Sequence, residues 1–141
     1  MNEGIHMKTA MKCAWVGVML ALAMPVPVFA DDTQTTYCKI QSQLAETTLI
    51  GRYLGKSQTD AMQVVVRATD GMDDPFEQNI FIMLMGEIVD GVYERELMAE
   101  PEQHEVEFLA EARGLGKTVH DNCMQMDVKQ VLKTMREGYH P

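Results

Sequence analysis

The chain has few of the residues from which hydrolase active sites are built. Serine occurs only at Ser42 and Ser57, and neither lies in the Gly-x-Ser-x-Gly setting of a nucleophile elbow. A Walker A loop, a Gly-x-Gly-x-x-Gly motif and a Cys-x-x-Cys pair are all absent from the sequence. We therefore predict that the protein is not an enzyme, has no catalytic residues and carries no cofactor.

Basic residues are also scarce. The chain has 12 Lys and Arg against 21 Asp and Glu, a formal net charge of −9 with neutral histidines. Nucleic acids and anionic membranes bind cationic surfaces, so we predict neither as a ligand. An acidic surface suits a protein partner, and we expect the partner to be another protein.

Long apolar runs are missing except near the N-terminus, where residues 13–24 are apolar or small. As a helix this run spans about 18 Å, short of the roughly 30 Å hydrocarbon core of a bilayer. Lys8 and Lys12 precede the run, and the small residue Ala30 follows it, as in a secretory leader. We predict a signal peptide over residues 1–30 that is cleaved after Ala30.

The predicted mature chain, residues 31–141, has the length of one small domain. The leader predicts a periplasmic or secreted location, with no stable membrane insertion after cleavage. Met1 and Met7 are both candidate start residues, because Met7-Lys8 also suits the beginning of a leader.

Only three cysteines occur, and the leader contains one of them, Cys13. Cys38 and Cys123 remain, and two cysteines in an exported protein predict one disulfide. The competing interpretation is a metal-binding or reactive thiol, but histidines and carboxylates at zinc-ligand spacing are not found around them. Closing a loop of about 85 residues would stabilise the fold by roughly 4 to 5 kcal/mol on the chain-entropy model.

The apolar pattern of the mature chain is helical, without the alternation that indicates half-buried strands. A first helix is predicted from Tyr37 to Leu54, with Gly55 as its C-cap. Ser57-x-x-Asp60 predicts a capping box that opens a shorter helix. The β-branched run Val64–Val66 also suits a strand.

Three further helices are predicted in the second half. Asp74-Pro75 suits an N-cap followed by proline at the first helical position, and the wide apolar stripe behind it predicts the central buried helix. Pro101 is expected to open the next helix, which two glycines are candidates to break or kink. A final helix is expected over residues 127–137. The fold prediction is an all-α small bundle of four to five helices, clamped by one disulfide.

Methionine is frequent, with eight residues after position 30 and the pairs Met83-x-Met85 and Met124-x-Met126. Thioethers are ligands for Cu(I). Residues two apart on a helix, however, point about 200° away from each other, so the methionines are interpreted mainly as adaptable core filler. His120, Met124 and Met126 are weak candidates for a metal site, and His120 alone is interpreted as a surface histidine beside the disulfide.

Several features resemble a loose group of small exported, single-disulfide, all-helical proteobacterial proteins of unknown function. The features are a leader, Cys38 in the first mature helix, Ala45, Arg52-x-x-Gly55, Val92-Tyr93 in a central helix, and Cys123 late in the chain. The resemblance covers residues 38–123 and implies an exported, disulfide-clamped helical protein. It implies no catalytic residues.

The predicted function is therefore a non-catalytic protein-binding factor, for example an immunity-type protein that blocks a toxin in the periplasm. One alternative is a periplasmic acid-stress chaperone, in which protonation of about twenty carboxylates would open the fold and expose apolar surface. Another alternative is a protein that binds copper or another soft metal.

Overall fold

The computed structural model describes residues 33–139, which form five α-helices and one short 3₁₀ turn. The helices are α1 Thr33–Tyr53, α2 Gln58–Arg67, α3 Pro75–Glu94, α4 Glu105–Gln125 and α5 Val128–Glu137, and the 3₁₀ turn is Pro101–Gln103. Since residues 33–139 contain no β-strand, the all-α prediction is confirmed and the strand alternative at Val64–Val66 is wrong. The predicted signal peptide and its cleavage position lie outside the described residues.

The end of α1 is a Schellman motif around Gly55. Gly55 has a φ of 81°, a left-handed conformation that glycine adopts without a steric penalty. Its N–H donates to the Arg52 carbonyl at 3.0 Å, and the Lys56 N–H donates to the Gly51 carbonyl at 2.9 Å. These are the two hydrogen bonds of the motif, and they confirm the predicted role of Gly55.

Side-chain caps open α2 and α3 as predicted. The Asp60 N–H donates to Ser57 Oγ at 3.1 Å, and the Ser57 N–H donates to Asp60 Oδ2 at 3.0 Å. At α3, the Phe76 N–H donates to Asp74 Oδ1 at 2.9 Å. These oxygens satisfy N–H groups that the first turn of a helix leaves without a partner.

Helix α4 begins later than predicted. Pro101 opens the 3₁₀ turn instead of the helix, which starts only at Glu105. The residue before the proline, Glu100, has a φ of 49° and turns the chain through the left-handed region. The backbone of Glu100 is therefore not helical, and the 3₁₀ turn separates it from the first residue of α4.

The two glycines of α4 do not break the helix, which is continuous from Glu105 to Gln125. A Cβ atom at Gly116 would lie 3.0 Å from the Ser42 backbone oxygen and 3.3 Å from Glu46 Cβ. Gly116 therefore allows α4 to lie unusually close to α1. Nothing lies within 4 Å of a Cβ at Gly114.

The central helix is α1, so the prediction that α3 is central is wrong. Helix α1 contacts α2, α3, α4 and α5. Eleven of its 21 residues are buried, compared with seven of 20 in α3. Several of the buried residues are threonines, and Thr47 Oγ1 donates to the Gln43 carbonyl at 2.8 Å. Such local bonds satisfy hydroxyls inside a core, so a helix without a wide apolar stripe can be central.

The helix directions give the bundle two ends. Helices α1 and α4 are antiparallel, with Cys38 bonded to Cys123 at one end and Tyr53 stacked on Phe108 at the other. We call the first the disulfide end, formed by the start of α1, the end of α4, and α5. We call the second the acidic end, formed by residues 87–111 beside the end of α1.

Helix α5 docks on the bundle through its apolar side. Val128 and Leu132 are buried in the main hydrophobic cluster, and Met135 packs against it. The Tyr139 ring meets the Phe76 ring edge-on at a centroid distance of 5.2 Å. The predicted final helix is thus an integral part of the fold.

Candidate functional sites at the two ends of the bundle

The predicted disulfide joins Cys38 and Cys123 at the disulfide end. The two Cα atoms are 5.4 Å apart and the residues are separated by 85 positions. Both residues are buried, with exposed fractions of 0% and 2%. Cys123 therefore offers no thiolate to a metal ion, and the bridge fixes the end of α4 against the start of α1.

A second clamp at this end is the side chain of Gln34, which sequence reasoning missed. Its Nε2 donates to the Cys123 carbonyl at 2.9 Å and to the Met126 carbonyl at 2.7 Å. Its Oε1 accepts from the Val128 N–H at 2.9 Å. One amide thus binds carbonyls at the end of α4 and an N–H at the start of α5, where helices leave backbone groups without their i, i+4 partners. The partners of Gln34 lie about ninety positions away in the chain, so no local pattern predicts these hydrogen bonds. The only available signal is that Gln34 lies four residues before Cys38, on the same face of α1.

His120 and Met124 lie on one face of α4 near the disulfide. Residues four apart are about 40° apart around a helix, so the two side chains are neighbours. Their exposed fractions are 38% and 43%. Met126 caps α4, and its N–H still bonds to the Cys123 carbonyl at 3.0 Å. Met126 lies one residue beyond the helix and has an extended backbone, with a φ of −88° and a ψ of 150°, so the helical spacing on which the prediction for Met124 and Met126 was based does not apply to this pair.

The other methionine pair, Met83 and Met85, lies within α3. Met85 is completely buried, whereas Met83 is 43% exposed, so the two thioethers lie on different faces of α3. Met85 is core filler as predicted.

His120 has a carboxylate neighbour that orients it. Its Nδ1 lies 3.5 Å from Asp121 Oδ1, and Asp121 Oδ2 accepts from Lys117 Nζ at 2.6 Å. The hydrogen bond from Lys117, with a smaller contribution from His120, lowers the pKa of Asp121. The carboxylate is therefore ionised at neutral pH and favours the His120 tautomer with its proton on Nδ1.

The acidic end carries most of the net charge. Residues 87–111 contain nine Asp and Glu but only one Arg or Lys, Arg95, a net charge of −8. Only two of the nine carboxylates lie within salt-bridge distance of a basic side chain in the described structure, Glu107 beside His104 and Glu111 beside Arg95. This segment also holds the most exposed large apolar residue of the described chain, Val106 at 75%.

Arg52 and Tyr93 join the end of α1 to the end of α3. Arg52 Nη1 donates to the carbonyls of Val92 at 2.7 Å and Arg95 at 2.5 Å, at the end of α3 where carbonyls lack their i, i+4 helical partners. Its guanidinium also lies 5.3 Å from the centre of the Tyr93 ring, and the Tyr93 hydroxyl donates to the Lys56 carbonyl at 2.6 Å. Three residues that carried the family resemblance, Arg52, Val92 and Tyr93, therefore meet in one contact, and the fourth, Gly55, directly precedes Lys56, whose carbonyl Tyr93 binds.

A second contact fixes the segment between α3 and α4. The Tyr53 hydroxyl donates to Glu111 Oε2 at 2.7 Å and accepts from the Met98 N–H at 3.1 Å. Arg95 lies 3.7 Å from Glu111. Burial, more than the neighbouring Glu111 carboxylate, raises the pKa of Tyr53. The Tyr53 hydroxyl is therefore protonated and acts as a fixed donor.

Arg136 fixes the end of α5 to the start of α3. Its Nη2 lies 2.9 Å from Asp74 Oδ2 and 3.7 Å from Glu77 Oε1. Its guanidinium also covers the Phe76 ring at 4.4 Å from the ring centre. The Arg136 hydrogen bond lowers the pKa of Asp74, whereas burial and the Asp74 charge raise the pKa of Glu77.

Other conventional sites are not found in residues 33–139. No group of three or more His, Cys, Asp or Glu side chains there is arranged to hold a metal ion. No helix in that range is long and apolar enough to cross a membrane. The Tyr37 hydroxyl is buried without a hydrogen-bond partner in the described structure, and burial raises the pKa of Tyr37.

Comparisons with protein-family models, with curated proteins and with solved structures found no match. The resemblance to exported single-disulfide proteins therefore stays a prediction. The candidate sites are argued below from their own geometry.

Proposed function

We propose that the chain is an exported, non-catalytic protein-binding factor whose partner is a basic protein, for example a toxin that an immunity-type protein would block. The observation that carries this proposal is the concentration of charge at the acidic end, where residues 87–111 have a net charge of −8. A surface that carries only negative charge accelerates the association with a positively charged partner and disfavours the binding of acidic proteins.

Helix stability explains only part of this charge. Glu105 and Glu107 lie in the first turn of α4, where the helix dipole favours negative charge. Asp90 and Glu94 lie in the last turns of α3, where the dipole disfavours negative charge. Asp90 has a role within the fold, because it accepts from Gln58 Nε2 at 2.6 Å. Glu94 makes no side-chain hydrogen bond or ion pair in the described residues, so a role outside the fold supports its presence.

Two local features support a contact surface between α3 and α4. Glu100 holds a left-handed φ of 49°, a conformation that costs a residue other than glycine roughly 1 kcal/mol or more. Val106 exposes an apolar side chain among carboxylates. An apolar contact point inside a charged rim is the usual arrangement of a specific protein interface.

The segment is also held in position before any partner binds. Arg52 fixes the end of α3, and Tyr53 bonds both to Met98 in the connection and to Glu111 on α4. A preorganised surface loses less conformational freedom on binding, which favours affinity.

The test is affinity capture from a periplasmic extract, followed by binding measurements with the captured protein. The double substitution Glu96→Gln and Glu102→Gln removes two exposed carboxylates from the acidic end. Its matched control, Asp70→Asn and Asp73→Asn, removes the same charge from the connection between α2 and α3, at the other end of the bundle. We expect the first pair to weaken binding and to reduce its salt dependence, and the control pair to have little effect.

Val106→Lys tests the apolar contact independently. The side chain is exposed and lysine is a good helix former, so folding is expected to be unchanged. A cation placed against a basic partner should abolish binding. Equal affinities of wild type, Val106→Lys and both double variants would refute the proposal.

The Arg136 contact favours a second candidate, an acid-stress chaperone. Acid that protonates Asp74 removes the charge that pairs with Arg136, and release of α5 would uncover Phe76. Circular dichroism and a client-aggregation assay at pH 2 to 3 test this role. A fold unchanged at that pH without any effect on client aggregation would exclude it.

A further inference from the structure

We propose that His120 and Met124 form a surface site for a soft monovalent cation, Cu(I) or Ag(I), on α4 at the disulfide end. The proposal does not depend on the protein-binding role, because the acidic end lies at the other end of α4. It rests on a donor pair of suitable chemistry, a helical spacing that brings the donors together, and a neighbouring carboxylate that orients one of them.

The donor chemistry suits a soft cation. A methionine thioether is a soft ligand that selects Cu(I), and an imidazole nitrogen binds copper well. Ag(I) and Cu(I) are stable with few ligands, so two protein donors are enough for a simple site. Both side chains are partly exposed, at 38% for His120 and 43% for Met124, and a cation can reach them without opening the core.

The helix supplies the geometry. Side chains four residues apart lie one above the other on a helix, with Cβ atoms about 5 to 6 Å apart. An imidazole and a thioether extending from such positions can converge on one ion. The face is fixed because Cys123, between the two donors, is buried in the disulfide to α1.

Asp121 completes the arrangement as an orienting group. Its Oδ1 faces His120 Nδ1 at 3.5 Å, and a proton held there leaves the Nε2 lone pair free for a metal ion. Lys117 holds the other carboxylate oxygen at 2.6 Å. Metal-binding histidines commonly use their second nitrogen in this way, and the contact fixes both tautomer and ring orientation.

Two other exposed methionines provide controls within the same molecule. Met126 is close in sequence but lies beyond the last helical residue of α4 and has an extended backbone, so it does not share the helical spacing of His120 and Met124. Met83 has the same exposed fraction as Met124, 43%, but the residues four positions away on α3 are Asn79 and Glu87. Met83 therefore shows how an isolated exposed thioether binds the cation, and Met124 shows how a thioether beside an imidazole binds it.

The experiment is a titration of the exported protein with Ag(I), followed by NMR of the methionine methyl groups and histidine rings. Every variant carries Cys13→Ser, so that a retained leader contributes no thiol. We expect one equivalent of Ag(I) to shift the Met124 methyl and His120 ring signals, with smaller effects at Met83 and Met126. His120→Gln and Met124→Leu should each weaken binding at least about tenfold, a loss typical of disturbed metal sites.

The control variants decide between this site and general thioether binding. Met83→Leu and Met126→Leu should change the affinity by less than about twofold, while Asp121→Asn should weaken it by about tenfold. The proposal is overturned if no saturable shift appears, if His120→Gln binds as wild type does, or if Met83→Leu or Met126→Leu weakens binding as much as Met124→Leu. Circular dichroism of each variant shows whether a loss of binding reflects a loss of fold.

Discussion

Replacing Gln34 with alanine should loosen the junction of α4 and α5 selectively. The side chain makes three hydrogen bonds to backbone groups, at 2.9, 2.7 and 2.9 Å. A typical intramolecular hydrogen bond contributes about 1 kcal/mol net, which gives an upper value of about 3 kcal/mol. Alanine also recovers the entropy of an ordered glutamine side chain, about 1 kcal/mol or more. The bond to the exposed Met126 carbonyl is in addition replaceable by water. We expect a net loss of about 1 to 2 kcal/mol in the free energy of unfolding.

The matched control is Gln43→Ala, which removes an exposed glutamine from the same helix without breaking a side-chain hydrogen bond in the described structure. Its effect should be within about 0.5 kcal/mol, as for other surface substitutions. Urea unfolding with the disulfide intact measures both changes. Hydrogen exchange of the Val128 amide adds a local readout, since that N–H loses its acceptor only in Gln34→Ala. Equal stabilities of the two variants, or an unchanged exchange rate at Val128, would show that Gln34 does not clamp the junction.

Three further changes have a predicted direction. Tyr37→Phe removes a buried hydroxyl without a partner in the described structure, so stability should stay equal or rise by up to about 1 kcal/mol in urea unfolding; a clear loss would mean that the hydroxyl is bonded. Gly114→Ala should stabilise α4 by about 0.5 to 1 kcal/mol. Gly116→Ala should destabilise the protein, because the added Cβ would lie 3.0 Å from a backbone oxygen of α1. If both substitutions changed the thermal stability in the same direction, the close approach of α4 to α1 would be contradicted. Because Arg136 lowers the pKa of Asp74 from its usual 3.8, the stability contributed by Asp74 is present above that pH and is lost as the pH falls through the lowered value. Arg136→Gln should therefore be less stable than wild type at pH 7, and the gap in urea midpoints should narrow as the pH falls below about 3.8, while the part due to the Phe76 ring contact remains. A gap independent of pH would exclude the ion pair as its cause.

The sequence predicted the features that depend on local signals. The capping box at Ser57, the N-cap Asp74 and the C-terminal glycine Gly55 each act within a few residues, and each was confirmed. The disulfide followed from the number of cysteines and the predicted export. One local prediction, Pro101 as the first residue of a helix, was wrong because the chain first makes a 3₁₀ turn there.

The features that depend on distant contacts could not be predicted. The central position of α1 was missed because its buried surface includes Thr47, Thr48 and Gln41, which do not contribute to an apolar stripe. The side chains of Gln34 and Arg52 bind backbone groups that lie 40 to 94 positions further along the chain. Glutamine and arginine are common surface residues, and only the tertiary fold distinguishes those that bind helix ends.

Both of these side chains belong to α1, and this has a consequence for the two candidate sites. Gln34 and Arg52 are eighteen residues apart, about 27 Å along the helix axis. Substitutions that far apart, with no shared partner, usually act additively. Gln34→Ala should therefore loosen the His120 and Met124 site while it leaves the acidic end positioned by Arg52 and Tyr53. A substitution at Arg52 should do the reverse, so one helix supports two sites that can be disturbed one at a time.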